Sequence, residues 1–162
     1  MMDDLRFMTR AIELAKAAYD AGEVPVGALV VRDGQIIAEA CNRRETGKNA
    51  LYHAETMAID GACRALGGWR LPGCTLYVTM EPCPMCAGAI VNSRIERVVY
   101  GIRDERAGAF GGVFDLNAFP LNHKPEIVGG VMEDECRELL QMFFKSLRER
   151  PKIKWKGKKN ED

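Results

Sequence analysis

No apolar run in this 162-residue sequence approaches the roughly 18 residues of a membrane span, so a transmembrane helix is not expected. Internal repeats and low-complexity linkers are also missing, which argues against a solenoid or a string of modules. Net charge is zero, with 23 Lys+Arg balancing 23 Asp+Glu, and 47% of residues are hydrophobic. Those proportions exclude intrinsic disorder of the whole chain. Residues 1–10 open with an acidic pair, Asp3-Asp4, and are helically periodic, unlike a secretory signal, which predicts a reducing, cytoplasmic compartment. Histidine is scarce, with two in the chain.

What the sequence does have is enough length for one domain, able to bury roughly 70% of the surface its unfolded chain exposes. The balanced charge hides an asymmetry. Residues 1–144 carry 15 Lys+Arg against 20 Asp+Glu, and residues 145–162 carry 8 against 3. A mildly acidic body thus ends in a basic arm, which suits either RNA binding or solubility. The organisation expected is a single domain over 1–150 and a basic tail over 151–162.

Hydrophobic periodicity sets the element order. Residues 4–20 place Leu5, Met8, Ile12, Ala15 and Tyr19 on one helical stripe, with Asp3 or Asp4 as the cap. Two β-type runs, 26–31 and 36–41, flank Asp33-Gly34, a strong hairpin signal. A loop over 42–52 leads to a helix over 53–66. A strand over 75–80 runs into a small-residue helix over 87–92, with Pro84 suited to its first turn. Strands over 97–102 and 126–128 bracket a long Gly/Pro/Asn-rich loop, 103–125, of the kind that carries function. A helix over 133–148, striped by Cys136, Leu139, Leu140, Phe143, Phe144 and Leu147, closes the chain. The order αββαβαββα predicts one layered α/β domain.

Six cysteines are present. Four of them read as small core hydrophobes. Cys83 and Cys86 differ because they form a C-x-x-C in the first turn of a helix, where i, i+3 spacing brings both sulfurs to one face. Amide dipoles at that helix start favour thiolates. His53 opens another helix, and imidazole plus two thiolates is a donor set zinc accepts, leaving a fourth position for water. Glu55, two residues after His53, is placed to carry protons beside such a water. A C-x-x-C alone also fits half a structural zinc site or a redox pair. No second C-x-x-C completes a four-cysteine cage, and a structural site has no need of Glu55.

The pattern His53-Ala54-Glu55 followed by Pro82-Cys83-Pro84-Met85-Cys86 is the H-x-E…P-C-x-x-C signature of zinc-dependent nucleobase deaminases. Beyond it, the chain resembles bacterial tRNA-specific adenosine deaminases over nearly its whole length. The resemblance runs through Glu23-Val24-Pro25-Val26-Gly27, Asn42-Arg43, Leu76-Tyr77-Val78-Thr79, Glu81 through Ile90, Ser93-Arg94-Ile95, Arg103-Asp104, Gly108-Ala109, Asn122-His123 and Phe143-Phe144-Lys145. One departure is Asn49-Ala50-Leu51-Tyr52, where the family often has Asp-Pro-Thr-Ala, so an aromatic precedes the expected ligand.

The resemblance implies a three-layer α/β/α cytidine-deaminase-like fold with a mixed sheet of about five strands. It also implies one Zn²⁺ per subunit on His53, Cys83 and Cys86, with Glu55 catalytic. Conversion of adenosine to inosine at the wobble position of a tRNA anticodon is the activity implied, by a homodimer. A deaminase of free guanine, cytosine or a nucleoside is the alternative, and the basic arm favours RNA. Asn42 matches a position that contacts the nucleoside, and Asp104 one that contacts the anticodon-loop ribose. Each reads equally well as a turn or capping residue. Phe144 and Arg148, four apart on the last helix, suit stacking and phosphate contact. Phe143 reads as core, His123 as a structural loop residue, and Trp155 as either base-stacking or tail packing.

Overall fold

The structure is a computed structural model and describes residues 2–150; the tail over 151–162, with Trp155, lies outside the described residues. Chain order is α1 (Met2–Asp20), β1 (Gly27–Arg32), β2 (Gln35–Cys41), α2 (Ala54–Leu66), β3 (Cys74–Met80), α3 (Pro84–Ser93), β4 (Arg97–Ile102), a 3-10 turn (Leu116–Ala118), β5 (Glu126–Val128) and α4 (Glu133–Glu149). The strands form one sheet in the order β2-β1-β3-β4-β5. β1 pairs antiparallel with β2 and β3, whereas β3, β4 and β5 run parallel. Asp33 and Gly34 both take positive φ, as a tight turn matched to strand twist requires.

Parallel strands need crossovers, and α3 supplies the one between β3 and β4. Helices cover both faces, so β1, β3 and β4 are buried almost throughout and read in sequence as continuous apolar runs. Their side chains alternate between two cores. Ala28, Val30, Leu76, Val78 and Val98 pack under α2 and α3, where Ala54, Ala58 and Ala62 at four-residue spacing bring α2 close to the sheet. Leu29, Val31, Tyr77 and Val99 face α1 and α4, against Phe7, Met8, Ala11 and Cys136. This is the expected three-layer α/β/α arrangement with five strands.

Three expectations need correction. Leu5 is exposed, and the buried stripe of α1 runs instead through Asp4, Phe7, Met8, Ala11, Ile12, Ala15 and Ala18. Neither Asp3 nor Asp4 caps the helix, which already begins at Met2. Asp4 faces the sheet, where Arg97 donates to both carboxylate oxygens at 2.8 Å and the Tyr77 hydroxyl donates at 2.6 Å. On α4 the stripe is narrower than the pattern suggests: Cys136, Leu140 and Phe143 are buried, but Phe144 and Leu147 are exposed.

The Asp4–Arg97–Tyr77 group ties α1 to β3 and β4. The hydrogen bonds from Arg97 hold the Asp4 carboxyl down to about 2. A folded-state value below the unfolded one gives stability that is complete above about pH 4 and is lost as the pH falls toward 2. Asp4→Asn is expected to cost about 2 kcal/mol at pH 7. Urea titrations of wild type and variant should show that difference shrinking between pH 5 and pH 3; a constant difference would contradict the assignment.

Candidate active site

Four groups converge where α2 and α3 begin. His53 is the N-cap of α2, and its carbonyl accepts from Met57 N at 3.1 Å. Cys83 is the N-cap of α3, its carbonyl accepting from Ala87 N at 2.8 Å, and Pro84 starts the helix without needing an N–H partner. Cys86 completes that first turn and is fully buried. The sheet brings the two helix starts together, because β3 ends at Met80, two residues before Pro82 and three before Cys83.

His53 Nδ1 lies 3.6 Å from Cys83 Sγ and 3.5 Å from Cys86 Sγ. All three donor atoms fall within 4.8 Å of one another. A tetrahedral ion with bonds of about 2.1 Å to nitrogen and 2.3 Å to sulfur sets N···S edges of about 3.6 Å, so both N···S separations are those zinc requires. The protonation pattern agrees. A hydrogen bond from the Cys86 thiol, together with His53, holds Cys83 down to about 4. That same bond, with burial, pushes Cys86 up, and the bond to Cys83 raises His53. Two thiolates and a neutral imidazole offset the charge of a divalent cation, which makes the residues fit the group chemically as well as in spacing.

Glu55 occupies the first turn of α2 and is 4% exposed. Burial, aided by the nearby Cys83 charge, pushes its carboxyl up to about 7. A carboxyl of that kind takes up and releases protons near neutral pH.

His53, Glu55 and Cys83 line a cavity of about 160 Å³ together with Asn42, Arg44 and Asp104, while Cys86 is not among the lining residues. Asn42 keeps the turn role as well: its Nδ2 donates to the Val24 carbonyl and its Oδ1 accepts from Arg44 N, each at 3.3 Å. Asp104 Oδ1 accepts from Arg106 N and Ala107 N, so it caps its own loop while facing the cavity. Phe144 and Arg148 are outside the lining, exposed on α4. The Tyr19 and Phe143 rings, 5.9 Å apart, place the late turns of α4 beside the end of α1, from which the chain runs into the cavity wall at Val24. His123 Nε2 meets the Ile95 carbonyl at 2.6 Å, the structural use expected of it.

Sequence reasoning assigned no role to Glu23 or Glu81, both almost completely buried. Each carboxylate binds backbone amides of a loop at the cavity edge. The signal was present: each is a lone acid within two residues of a proline, in otherwise apolar sequence.

Comparison with known proteins agrees with this geometry. Residues 1–102 match the family model for the cytidine and deoxycytidylate deaminase zinc-binding region. The chain is 51% identical to the tRNA-specific adenosine deaminase of Bacillus subtilis over 153 residues, covering 94% of this chain and 95% of the relative. It is 42% identical to the enzyme of the same name from Haemophilus influenzae, covering 93% and 88%. A solved structure from studies of A-to-I editing by tRNA:A34 deaminases superposes with a TM-score of 0.77 at 42% identity, covering 83% of this chain and 99% of that one. The guanine deaminase from Nitrosomonas europaea superposes at 0.71 with 29% identity, over 84% and 81%. On the converging donors, the family model and relatives alike over most of their length, the chain belongs to the zinc-binding deaminases, in the family of the tRNA-specific adenosine deaminases.

Proposed function

We propose that this chain converts adenosine to inosine at the wobble position of a tRNA anticodon, with His53, Cys83 and Cys86 holding one zinc and Glu55 carrying protons. The observation that bears most weight is a buried carboxyl beside three convergent soft donors, two of which, His53 and Cys83, line the same cavity. Zinc held there would supply a Lewis acid that makes water a nucleophile near neutral pH. Glu55 accepts a proton from the attacking water and delivers it to N1 of the purine as the C6–O bond forms. It then moves the second proton, from the new hydroxyl, to the C6 amine. The C6–N bond breaks and ammonia leaves, with the carbonyl at C6 and the proton on N1 retained. Without Glu55 neither ring nitrogen nor amine is adequately protonated at pH 7.

Asn42 and Asp104 face the cavity from opposite sides and serve in this reading as nucleoside and ribose contacts. Phe144 and Arg148 stand outside the nucleotide cavity, on the late turns of α4, and are assigned to the flanking RNA. Residues 1–150 make up the deaminase domain, and the basic tail over 151–162 adds attraction for phosphates. Among the described residues no helix is long and apolar enough to cross a membrane. A cytoplasmic location is part of the proposal, supported by the tRNA substrate. So is a homodimer: Leu51, Tyr52, Val113 and Phe114 are exposed apolar residues on the loops that edge the site, surface a second copy would remove from water.

Three measurements test this reading. An anticodon stem-loop with adenosine at the wobble position, incubated with zinc-loaded protein, should contain inosine by mass spectrometry. Faster ammonia release from free guanine or cytidine than from the RNA would overturn the tRNA assignment. Glu55→Gln should retain zinc and lose at least about a hundredfold in turnover, whereas near-normal turnover would remove Glu55 from the chemistry. Cys86→Ser should lower bound zinc well below one per chain by metal analysis; full zinc content would exclude Cys86 as a ligand.

A further inference from the structure

The mechanism makes no use of Glu81, yet its side chain is completely buried two residues before Cys83. Its partners explain its place. Oε1 accepts from Asp104 N at 3.1 Å, and Oε2 accepts from Phe110 N at 3.0 Å and Gly112 N at 2.9 Å. Arg103 Nε stands 4.0 Å from Oε1, largely in solvent. A carboxylate receiving three backbone amides makes charge-assisted hydrogen bonds, stronger than the neutral bonds an ordinary loop relies on.

The surrounding loop is shaped to this carboxylate. A Cβ added to Gly108 would overlap both the Glu81 carboxylate and the Asp104 carbonyl, and one added to Gly112 would overlap the Asp104 carbonyl and crowd Glu81 Oε1. Gly108 N donates to the Asp104 carbonyl at 2.9 Å, and Ala109 N donates to the Pro82 carbonyl at 3.0 Å. The segment 104–112 is therefore hung from Glu81 and Pro82, immediately before the Cys83 donor. Asp104 and Ala107, the part of that segment that lines the cavity, inherit their position from the anchor.

Across the cavity the same device recurs. Glu23 accepts from Glu45 N at 3.2 Å and Thr46 N at 2.6 Å, fixing the loop that carries Asn42 and Arg44.

From this arrangement we infer that Glu81 is a positioning residue for substrate recognition: it holds the Asp104–Ala107 wall at a fixed distance from the metal donors, while Glu23 does the same for the Asn42–Arg44 wall. The inference rests on the proposed RNA substrate only for its kinetic readout.

Replacing Glu81 by glutamine tests it with little change in volume. Glutamine keeps one acceptor oxygen, and its amide nitrogen must face either one N–H or two. Facing the single donor is the smaller loss, so Asp104 is the amide released. Amide hydrogen exchange on the full zinc-loaded chain should show about tenfold less protection at Asp104, with Glu45 and Thr46 unchanged as internal controls. With an anticodon stem-loop as substrate, KM should rise about tenfold and kcat should fall far less, at wild-type zinc content. Gly108→Ala, which displaces the same segment with Glu81 intact, should give the same pattern and carries the test if Glu81→Gln does not fold. Unchanged exchange at Asp104 in both variants would overturn the inference. So would loss of kcat in step with zinc and folded protein, which marks a general structural role. Inactivity of the wild type on every anticodon stem-loop would defeat the proposed substrate, and the exchange measurement would still decide the role of Glu81.

Discussion

Two helix N-termini meeting at one point is the constraint on which the rest of this structure depends. Each brings unpaired backbone N–H groups and the positive end of its dipole, and both favour negative charge in a buried place. The chain meets that condition with residues that can become anionic: Cys83 as the N-cap of α3, Cys86 in its first turn and Glu55 in the first turn of α2. The sheet enforces the meeting, because parallel β3 and β4 need the α3 crossover, and α2 packs beside α3 on the same face. Alanine at 54, 58 and 62 removes the bulk that would hold α2 away.

Around that fixed floor, the walls are built differently. They belong to loops that fold on their own backbone hydrogen bonds and are tied to the rest of the domain by the buried acids Glu23 and Glu81. Burying an acid is costly unless its oxygens are hydrogen-bonded, and here five backbone amides between the two acids meet that demand. The outcome is a set of polar contacts with the precision of regular structure on segments that have none.

Much of this was legible in the sequence, for reasons that differ by element. β4 and β5 matched their apolar runs residue for residue: β4 is buried almost throughout, and the short, half-exposed β5 is bounded in sequence by Pro125 and Gly129-Gly130. The metal donors and Glu55 were legible because their spacing relative to helix starts is itself the chemistry. Leu5 misled because periodicity counts apolar residues only. An acid satisfied by Arg97 and Tyr77 from distant strands rotates the buried face of α1 toward itself, and no local pattern reports such a partner. The exposure of Leu147 was missed for the converse reason, since an apolar residue on the outer edge of a stripe looks covered; Phe144, read both as part of the stripe and as a stacking group, is exposed as the second reading needs. Glu23 and Glu81 stayed without a role because their partners are backbone amides, which every residue but proline supplies and no sequence pattern marks.

That division between floor and walls bears on how one fold serves different substrates. Hydrolytic removal of an amine from a purine or pyrimidine makes the same demands on the donors and the proton carrier, so these sit on helix termini that cannot shift without unpacking the core. Discrimination must then come from groups that line the cavity away from the donors, and in this chain those include Asn42 and Arg44 on one anchored loop and Asp104 and Ala107 on the other. A small free base is enclosed by the floor and near walls alone, whereas a nucleotide within RNA also needs an open rim that admits its neighbours on either side. Leu51 and Tyr52, just before His53, and Val113 and Phe114, just after the Glu81-anchored segment, are exposed apolar residues beside these walls, the surface the proposed homodimer would cover.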